Sequence, residues 1–182
     1  MTAELANGNG RRFDPAFGIC YTSNMNLSID AELVTKTWTY LDGSESEPTT
    51  DLVLLVNGVE VNQHFDPIEF QIKPARIFTA YVFTCSCGEA GCAGWFEGIK
   101  IKYKKNTVVW KVLDEDKSKL VYPHKELYFD RKEYEAVQKK VIELCHQHIE
   151  SRPKYDPDEY YHSQIPGNTP EEFNEILARR IS

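Results

Sequence analysis

Three cysteines lie close together near the middle of this sequence, at the spacing Cys-x-Cys-x4-Cys. Cys85, Cys87 and Cys92 fall within eight residues, and Gly88 and Gly91 favour a tight reversal of the chain between them. Structural zinc sites use four thiolate or imidazole ligands arranged as a tetrahedron. The spacing therefore suggests the hypothesis of a zinc site at Cys85, Cys87 and Cys92, in a segment that we name the cysteine turn (residues 85–92).

The zinc hypothesis leaves the fourth ligand open. The Cys-x-Cys spacing also differs from the Cys-x2-Cys pairs that are usual in such sites. Candidate fourth ligands are cysteines and histidines elsewhere in the chain, namely Cys20, His124, Cys145 and His148. None of them stands at a spacing that is typical of a zinc motif.

Two other interpretations of the cysteine turn remain. A disulfide between Cys85 and Cys87 would be strained and easily reduced, which would suit a thiol redox sensor. Alternatively, the cysteines are small apolar side chains at a buried structural corner, with Trp95 and Phe96 packed over them. The last interpretation requires no ligand and no redox chemistry.

Strands are predicted on both sides of the cysteine turn. Residues 77–84 are rich in aromatic and β-branched side chains and lead into it. Residues 95–103 lead out of it, and residues 107–113 return after a tight turn. These three segments predict an antiparallel meander with the cysteine turn at one end.

More β-structure is predicted before the cysteine turn. The second half of residues 27–41 is expected to form a strand. Asn57 and Gly58 lie between two apolar runs and predict a two-residue hairpin turn, because both residue types accept a positive φ. Asp66 followed by Pro67 indicates the start of a short helix.

Two helices are predicted in the C-terminal part. Asp130 and Glu133 form a capping pattern, apolar residues then recur at helical spacing, and Pro153 ends the pattern. Thr169 and Pro170 begin a second, shorter helix. Its expected apolar face comprises Phe173, Ile176, Leu177 and Ile181.

Together these elements predict an α+β fold. Its core is an antiparallel sheet or meander with one long helix of the C-terminal half packed on it, followed by a short terminal helix. We expect a flexible tail at residues 1–12, a single α+β domain at 13–150, and a Tyr- and Asp-rich connector with the short helix at 151–182. A chain of 182 residues can bury a core of useful size without disulfides.

The chain is acidic, with 21 basic and 28 acidic residues and a net charge of −7. Binding to nucleic acid requires a basic surface, so this charge argues against it. The basic residues that cluster are Lys100, Lys102, Lys104 and Lys105. Because they alternate with apolar residues, we expect them on the solvent-exposed face of a strand.

Several further patterns bear on location. No segment approaches the length of about 20 apolar residues that a membrane helix needs. The first ten residues lack the basic and apolar regions of a secretory signal. Five cysteines is an odd number, which favours reduced thiols or a metal over a disulfide framework. We therefore predict a cytoplasmic protein that does not bind membranes.

Part of the chain resembles a group of uncharacterised bacterial proteins. The resemblance lies in the turn Cys85-x-Cys87-Gly88-x-x-Gly91-Cys92, a later strand with Trp110, and a helix start of the form Phe-Asp-x3-Tyr ending at Tyr134, and it covers about residues 83–137. It implies a recurring fold and a bacterial origin. It implies no activity, because no member of the group has an established one.

The sequence carries no catalytic signature, so no catalytic residue is assigned. It has no nucleophile elbow, phosphate-binding loop, dinucleotide fingerprint or zinc-protease motif. Tyrosines and carboxylates alternate after the long helix and predict a surface for a protein partner, since tyrosine is enriched at interfaces. The residues of this predicted surface are Tyr155, Asp156, Asp158, Tyr160 and Tyr161.

The function predicted from these observations is non-catalytic binding of a protein partner inside the cell. One version is an immunity-type protein that neutralises a basic partner by charge complementarity. The first alternative is a small metalloprotein that holds zinc, the one cofactor that the sequence suggests, at Cys85, Cys87 and Cys92. The second alternative is the thiol redox sensor.

Overall fold

A computed structural model describes residues 11–14, 19–22, 26–37, 39, 42–61, 63–85, 88–117, 126–152 and 165–181. The strands in this part are β1 (Arg11–Asp14), β2 (Ile19–Thr22), β3 (Ile29–Lys36), β4 (Thr49–Val56), β5 (Val59–Glu60), β6 (His64–Phe65), β7 (Ile77–Ala80), β8 (Phe83–Thr84), β9 (Ile99–Tyr103), β10 (Thr107–Val112) and β11 (Glu126–Asp130). The α-helices are α1 (Pro67–Gln71), α2 (Arg131–Ser151) and α3 (Pro170–Ile181), and a 3₁₀ helix covers Glu115–Lys117. The predicted α+β class is confirmed.

The central sheet is antiparallel and has the strand order β11-β10-β9-β7. Its last three strands are the predicted meander, which is therefore confirmed. Strand β11 was not predicted, although Leu127 and Phe129 are buried and alternate with the more exposed Glu126 and Tyr128. The strand ends at Asp130, so its short alternating pattern runs directly into the capping signal of α2.

A second sheet has the order β3-β4-β5. Its β4–β5 hairpin turns at Asn57 (φ 52°) and Gly58 (φ 73°), as predicted. The Asn57 side chain also accepts a hydrogen bond from the Ser28 backbone N–H at 2.9 Å. Just before β3, the backbone N–H of Leu27 donates to the carbonyl oxygen of Tyr128 at 2.6 Å, which joins this part of the chain to β11.

The two predicted strands beside the cysteine turn are shorter than expected. Residues 77–84 divide into β7 and β8, which belong to different sheets. Residues 95–98 precede β9 as a turn, in which Gly98 has a φ of 73°. A Cβ on Gly98 would lie 2.9 Å from the Ala80 carbonyl oxygen, so the close approach of β7 to this turn requires glycine.

The helices begin at the predicted caps. Asp66 accepts from the backbone N–H groups of the first turn of α1, and Asp130 does the same for α2 at 2.8 and 3.1 Å. The Thr169 hydroxyl accepts from the Glu172 N–H at 3.2 Å at the start of α3. Within the predicted apolar face of α3, Phe173 and Leu177 are buried, whereas Ile181 is exposed.

Helix α2 packs across strands β3, β4, β10 and β11, and α1 and α3 pack against α2. Its buried face consists of Tyr134, Val137, Val141, Cys145 and Ile149. The side chains of Gln71 and Gln138 donate reciprocally to backbone carbonyls of α2 and α1, at 2.8 and 2.7 Å. Among the described residues, no helix combines the length and the apolar character that a membrane crossing demands.

Candidate functional site

A surface pocket of about 480 Å³ lies at one end of the central sheet. Every charged residue that lines it is basic. The lining residues are Lys73, Ala75, Arg76, Tyr103, Lys104, Lys105 and Arg131, which together we name the basic pocket. They come from three separate segments: the connection between α1 and β7, the end of β9 with the turn that follows it, and the first residue of α2.

Backbone hydrogen bonds hold these three segments together. The Tyr103 N–H donates to the Arg76 carbonyl oxygen at 2.9 Å, and the Arg131 N–H donates to the Asn106 carbonyl oxygen at 3.0 Å. The Arg131 guanidinium also donates to the Lys104 carbonyl oxygen at 3.3 Å. The sheet and the helix start therefore fix the backbone from which the basic side chains project.

The aromatic ring of Tyr103 forms a wall of the basic pocket. The Lys73 ammonium lies 4.2 Å from the ring centroid, and the Arg131 guanidinium carbon lies 5.8 Å from it. Such cation–π contacts are favourable and orient both cations. Burial is the main reason that the pKa of Tyr103 rises to about 12, so this side chain stays neutral at physiological pH.

One carboxylate partly neutralises the basic pocket. Glu135 accepts from the Arg131 Nε at 2.9 Å and lies 3.3 Å from the Lys73 ammonium. The hydrogen bond from Arg131 is the main cause that lowers the pKa of Glu135. Arg76, Lys104 and Lys105 form no ion pair with any residue that the structure describes.

The Arg76 guanidinium is held at one edge. Its Nε donates to the Tyr103 carbonyl oxygen at 3.2 Å, while no protein hydrogen bond engages its two terminal nitrogens within the described part of the chain. A guanidinium presented in this way can bind a phosphoryl or carboxylate group through two parallel hydrogen bonds. The Arg76 side chain therefore supplies a geometrically defined donor pair at the basic pocket.

The N-terminus of α2 contributes the positive end of its helix dipole to the basic pocket, but no free backbone N–H donors in its first three positions. Asp130 already accepts from the N–H groups of Lys132 and Glu133, and the Arg131 N–H is bonded to Asn106. The helix dipole adds partial positive charge near Arg131. An anion in the basic pocket would be held by side chains, with no helix N–H available to it in the first three positions.

Sequence reasoning found only part of this site. Lys100 and Lys102 lie on the exposed face of β9 as predicted, but Lys104 and Lys105 also border a pocket that was not foreseen. Lys73, Arg76 and Arg131 lie about 30 residues from them on either side, and nothing in the local pattern links them. The sequence signal for the basic pocket is the presence of basic residues beside two turns. This signal is weak, because the strand pairing that brings the two turns together is not evident from the sequence.

The cysteine turn is only partly described, because Cys87 lies outside the described residues. Cys85 is disulfide-bonded, and its bond is to neither Cys92 nor Cys145, since both of these carry free thiols. Cys92 is exposed and Cys145 is buried. Among the described residues, no group of three or more His, Cys, Asp or Glu side chains could hold a metal ion.

Trp95 and Phe96, which were predicted to pack over the cysteine turn, lie in different environments, and a Cβ on Gly91 would lie 4.0 Å from the Phe96 ring. Trp95 is buried, packs against Phe83 and donates from its indole N–H to Gln63 at 3.2 Å. Phe96 is 73% exposed. Gly94 and Gly98, on either side of this aromatic pair, both have a positive φ.

The predicted partner surface cannot be placed, since Tyr155, Asp156, Asp158, Tyr160 and Tyr161 all lie outside the described residues. The same holds for the candidate ligand His124 and for the side chain of Cys20. Of the remaining candidate ligands, Cys145 is buried on α2 and burial raises the pKa of its thiol far above the usual range. His148 is half-buried on the same helix.

Comparison with known proteins finds no relative: no family model matches the chain, and no curated protein or solved structure is significantly similar to it. The resemblance of the cysteine turn to uncharacterised bacterial proteins therefore stays a prediction. The chemistry of the basic pocket is the best basis for assigning a function.

Proposed function

We propose that this protein binds a ligand with two or more negative charges in the basic pocket. One observation carries the proposal: five cationic side chains from three segments surround one pocket, and one carboxylate beside it pairs with two of them, in a chain whose net charge is −7. Like charges repel one another at such short range. An arrangement that costs stability in the free protein is expected where an anion compensates it on binding.

The size and chemistry of the basic pocket favour a small polyanion. A volume of 480 Å³ falls within the range of about 300–1,000 Å³ that is usual for ligand sites. The two terminal guanidinium nitrogens of Arg76 suit a planar pair of ligand oxygens. The ammonium groups of Lys104 and Lys105 add positive charge without fixing the orientation of the ligand. Phosphoryl groups, which present several oxygens and more than one charge, meet these requirements best.

The test is calorimetric titration of the purified protein with tripolyphosphate at constant ionic strength. We expect saturable binding to one site. Arg76→Gln should weaken binding about 10- to 100-fold, because hydrogen bonds between charged groups contribute about 1.5–3 kcal/mol. Lys139→Gln is the matched control, since Lys139 is exposed on α2 away from the basic pocket and has the same charge.

Two results would count against the proposal. The first is the absence of saturable binding at millimolar tripolyphosphate in low-salt buffer, where ionic interactions are least screened. The second is an equal loss of affinity in Arg76→Gln and Lys139→Gln, which would indicate a response to net charge alone.

This proposal keeps the class of non-catalytic binding protein but assigns an anionic ligand to the basic pocket. A basic protein partner, as in the immunity-type hypothesis, is a separate proposal that rests on the net charge of −7. Its test is a pull-down from the native host with the purified chain as bait. Recovery of no stoichiometric basic protein would remove it.

A thiol redox function is the second candidate, and the disulfide of Cys85 near the free, exposed thiol of Cys92 favours it. In this proposal two equivalents of a low-molecular-weight thiol supply two electrons and two protons, reduce the disulfide, and leave as their own disulfide. Reduction would also free Cys85 as a thiolate, which the zinc alternative requires.

Alkylation followed by mass spectrometry tests the redox candidate. In the unreduced native protein, Cys92 should be alkylated readily and Cys145 should be protected, because it is buried and its thiol pKa is raised. Mild thiol reductant should add Cys85 to the alkylated residues. If Cys85 became accessible to alkylation only after denaturation, a reversible redox switch would be excluded. The metal alternative has its own test, which is the zinc content of the reduced protein compared with that of reduced Cys92→Ser.

A further inference from the structure

Exposed lysines continue from the basic pocket along the outer face of the central sheet. Lys100, Lys102 and Lys104 occupy alternate positions along β9 and its extension, and Lys111 lies on β10; we name these four residues the lysine strip. All four are exposed. The alternate residues Ile99, Ile101 and Tyr103 face the core and are buried, so the lysines share one face because of the strand period.

Within the part of the chain that the structure describes, the lysine strip lacks ion-pair partners. Register places Lys100 directly opposite Lys111, and like charges in that position destabilise a sheet. None of the four lysines forms an ion pair with a described residue. Glu126 is opposite Lys111 in register, but its carboxylate accepts from the Tyr128 hydroxyl at 2.7 Å.

Lys104 joins the lysine strip to the basic pocket. It lines the pocket, and its ammonium lies 5.6 Å from the ring centroid of Tyr128, on the outer face of β11. Alternate residues on a strand are about 7 Å apart, so the positive charge extends roughly 13 Å from Lys104 to Lys100. A single phosphoryl group in the pocket would not contact the lysines that lie farther along the strip.

We propose that the ligand is a linear chain of phosphoryl groups of the inorganic polyphosphate class, with one end in the basic pocket and the following groups along the lysine strip. This inference rests on the proposed function, because it names the ligand class of the same pocket. The repeated lysine spacing matches a ligand with repeated charges, and lysine ammonium groups bind phosphates as point charges.

The outer face fits this ligand better than a nucleic acid or an acidic peptide. Single-stranded nucleic acids stack their bases on exposed aromatic rings. On the described outer face of the sheet Lys104 lies over the ring of Tyr128, and the ring of Tyr81, which follows β7, packs over Gly98 while its hydroxyl donates to the Phe96 carbonyl oxygen. Peptides bind through apolar anchors that fill pockets. The described apolar residues of this face do not form such a pocket, because Val109 is buried beneath the lysines and Ile77 is exposed at the sheet edge.

The test compares two charge-matched triple variants of the full chain. The first is Lys100→Gln with Lys102→Gln and Lys111→Gln, which removes three of the four lysines of the strip and keeps Lys104, which also lines the pocket. The control is Lys36→Gln with Lys139→Gln and Lys140→Gln, which removes three lysines elsewhere on the molecule, two of them half-buried and paired with Glu60 and Asp30. The ligands are tripolyphosphate, long-chain polyphosphate and a single-stranded oligothymidylate of similar total charge.

We expect the strip variant to bind long-chain polyphosphate about tenfold or more weakly, and to reduce the salt dependence of its binding by about one ion per lysine removed. Tripolyphosphate affinity should change less than about twofold, and the control should behave as the wild type. These results together support an extended phosphate chain.

Other results would overturn the inference. Equal losses of polyphosphate affinity in the strip variant and the control would show that the affinity depends on net charge alone. Long-chain affinity unaffected by the strip variant would limit the ligand to the pocket. Oligothymidylate binding as tightly as polyphosphate would favour nucleic acid instead. Absence of tripolyphosphate binding together with strip-dependent polyphosphate binding would overturn the proposed function of the pocket and leave the strip as the binding surface.

Discussion

The indole N–H of Trp110 donates a hydrogen bond to the hydroxyl of Tyr134 at 3.2 Å, and neither side chain is accessible to solvent. The bond connects the middle of the central sheet to the first turn of α2. Burial raises the pKa of Tyr134 well above its ordinary value, so the hydroxyl remains neutral and available as an acceptor. Phe70 and Phe129 pack around the pair with ring centroids 5–6 Å away.

Tyr134→Phe should lower the free energy of unfolding by about 1–3 kcal/mol, because it leaves the buried Trp110 N–H without an acceptor. Urea unfolding followed by tryptophan fluorescence measures this. Tyr128→Phe is the control: it removes the same atom from a hydrogen bond on the surface and should change stability by less than about 0.5 kcal/mol. Equal effects of the two substitutions would contradict the prediction.

Asp114 anchors the chain that leaves the cysteine turn. Its carboxylate accepts from three successive backbone N–H groups, those of Phe96, Glu97 and Gly98, at distances of 2.8 to 3.2 Å. We expect Asp114→Ala to cost about 1–3 kcal/mol and to speed amide hydrogen exchange at these three residues. Asp116→Ala, an exposed carboxylate two residues away, is the matched control and should leave exchange there unchanged.

Removing the Glu135 carboxylate beside the basic pocket should improve anion binding. Glu135→Gln frees Lys73 and Arg131 from their shared acceptor and adds one net positive charge at the site. We expect tripolyphosphate affinity to rise about fivefold, from a contribution of about 1 kcal/mol. Glu143→Gln, farther along α2, should have no effect in the same titration, and an unchanged or weaker affinity for Glu135→Gln would place the anion elsewhere.

Acidification should destabilise the protein through His148. Burial lowers the pKa of this imidazole, nearby Arg152 lowers it further, and Asp51 partly opposes them. Its Nδ1 is buried without a hydrogen-bond partner in the described structure. Below about pH 6.5 the unfolded state therefore binds more protons than the folded state, and stability falls as pH decreases toward the folded-state pKa.

Urea unfolding at several pH values measures this dependence, with an expected slope of at most about 1.4 kcal/mol per pH unit from this residue. His148→Gln should flatten the profile in that window. His146→Gln is the control from the same helix, where His146 hydrogen bonds to Asn174 at 3.0 Å. A profile that stays equally steep in His148→Gln would assign the effect to other groups.

Local signals made the helices predictable, while pairing across the chain did not follow from them. Asp66 and Asp130 cap helices through bonds to N–H groups two and three residues away, so a short stretch of sequence contains the whole interaction. Asn57 and Gly58 likewise define their turn locally. The division of residues 77–84 into two strands depends instead on which distant segments lie beside them.

The basic pocket shows the same limit for function. The sequence identifies Lys104 and Lys105 as members of a basic cluster. Their proximity to Arg76, however, depends on the pairing of β7 with β9, and their proximity to Arg131 depends on the pairing of β10 with β11, which positions the start of α2. The cysteine turn, which looked most like a site in the sequence, contributes one bonded and one free cysteine to the described structure. Residue types were visible in the sequence, and their proximity was not.

The hydrogen bond from Leu27 to Tyr128 has a consequence for how the chain is made. The β3–β4 hairpin is complete at Val56, about 70 residues before Tyr128, and translation adds about 5–20 residues per second, so the hairpin waits roughly 4–14 s for its neighbour to be synthesised. During that time its apolar side chains need protection from other nascent chains. Ribosome-bound chains stalled before Glu126 should therefore be cleaved by protease within β3 and β4, whereas the full-length chain should resist.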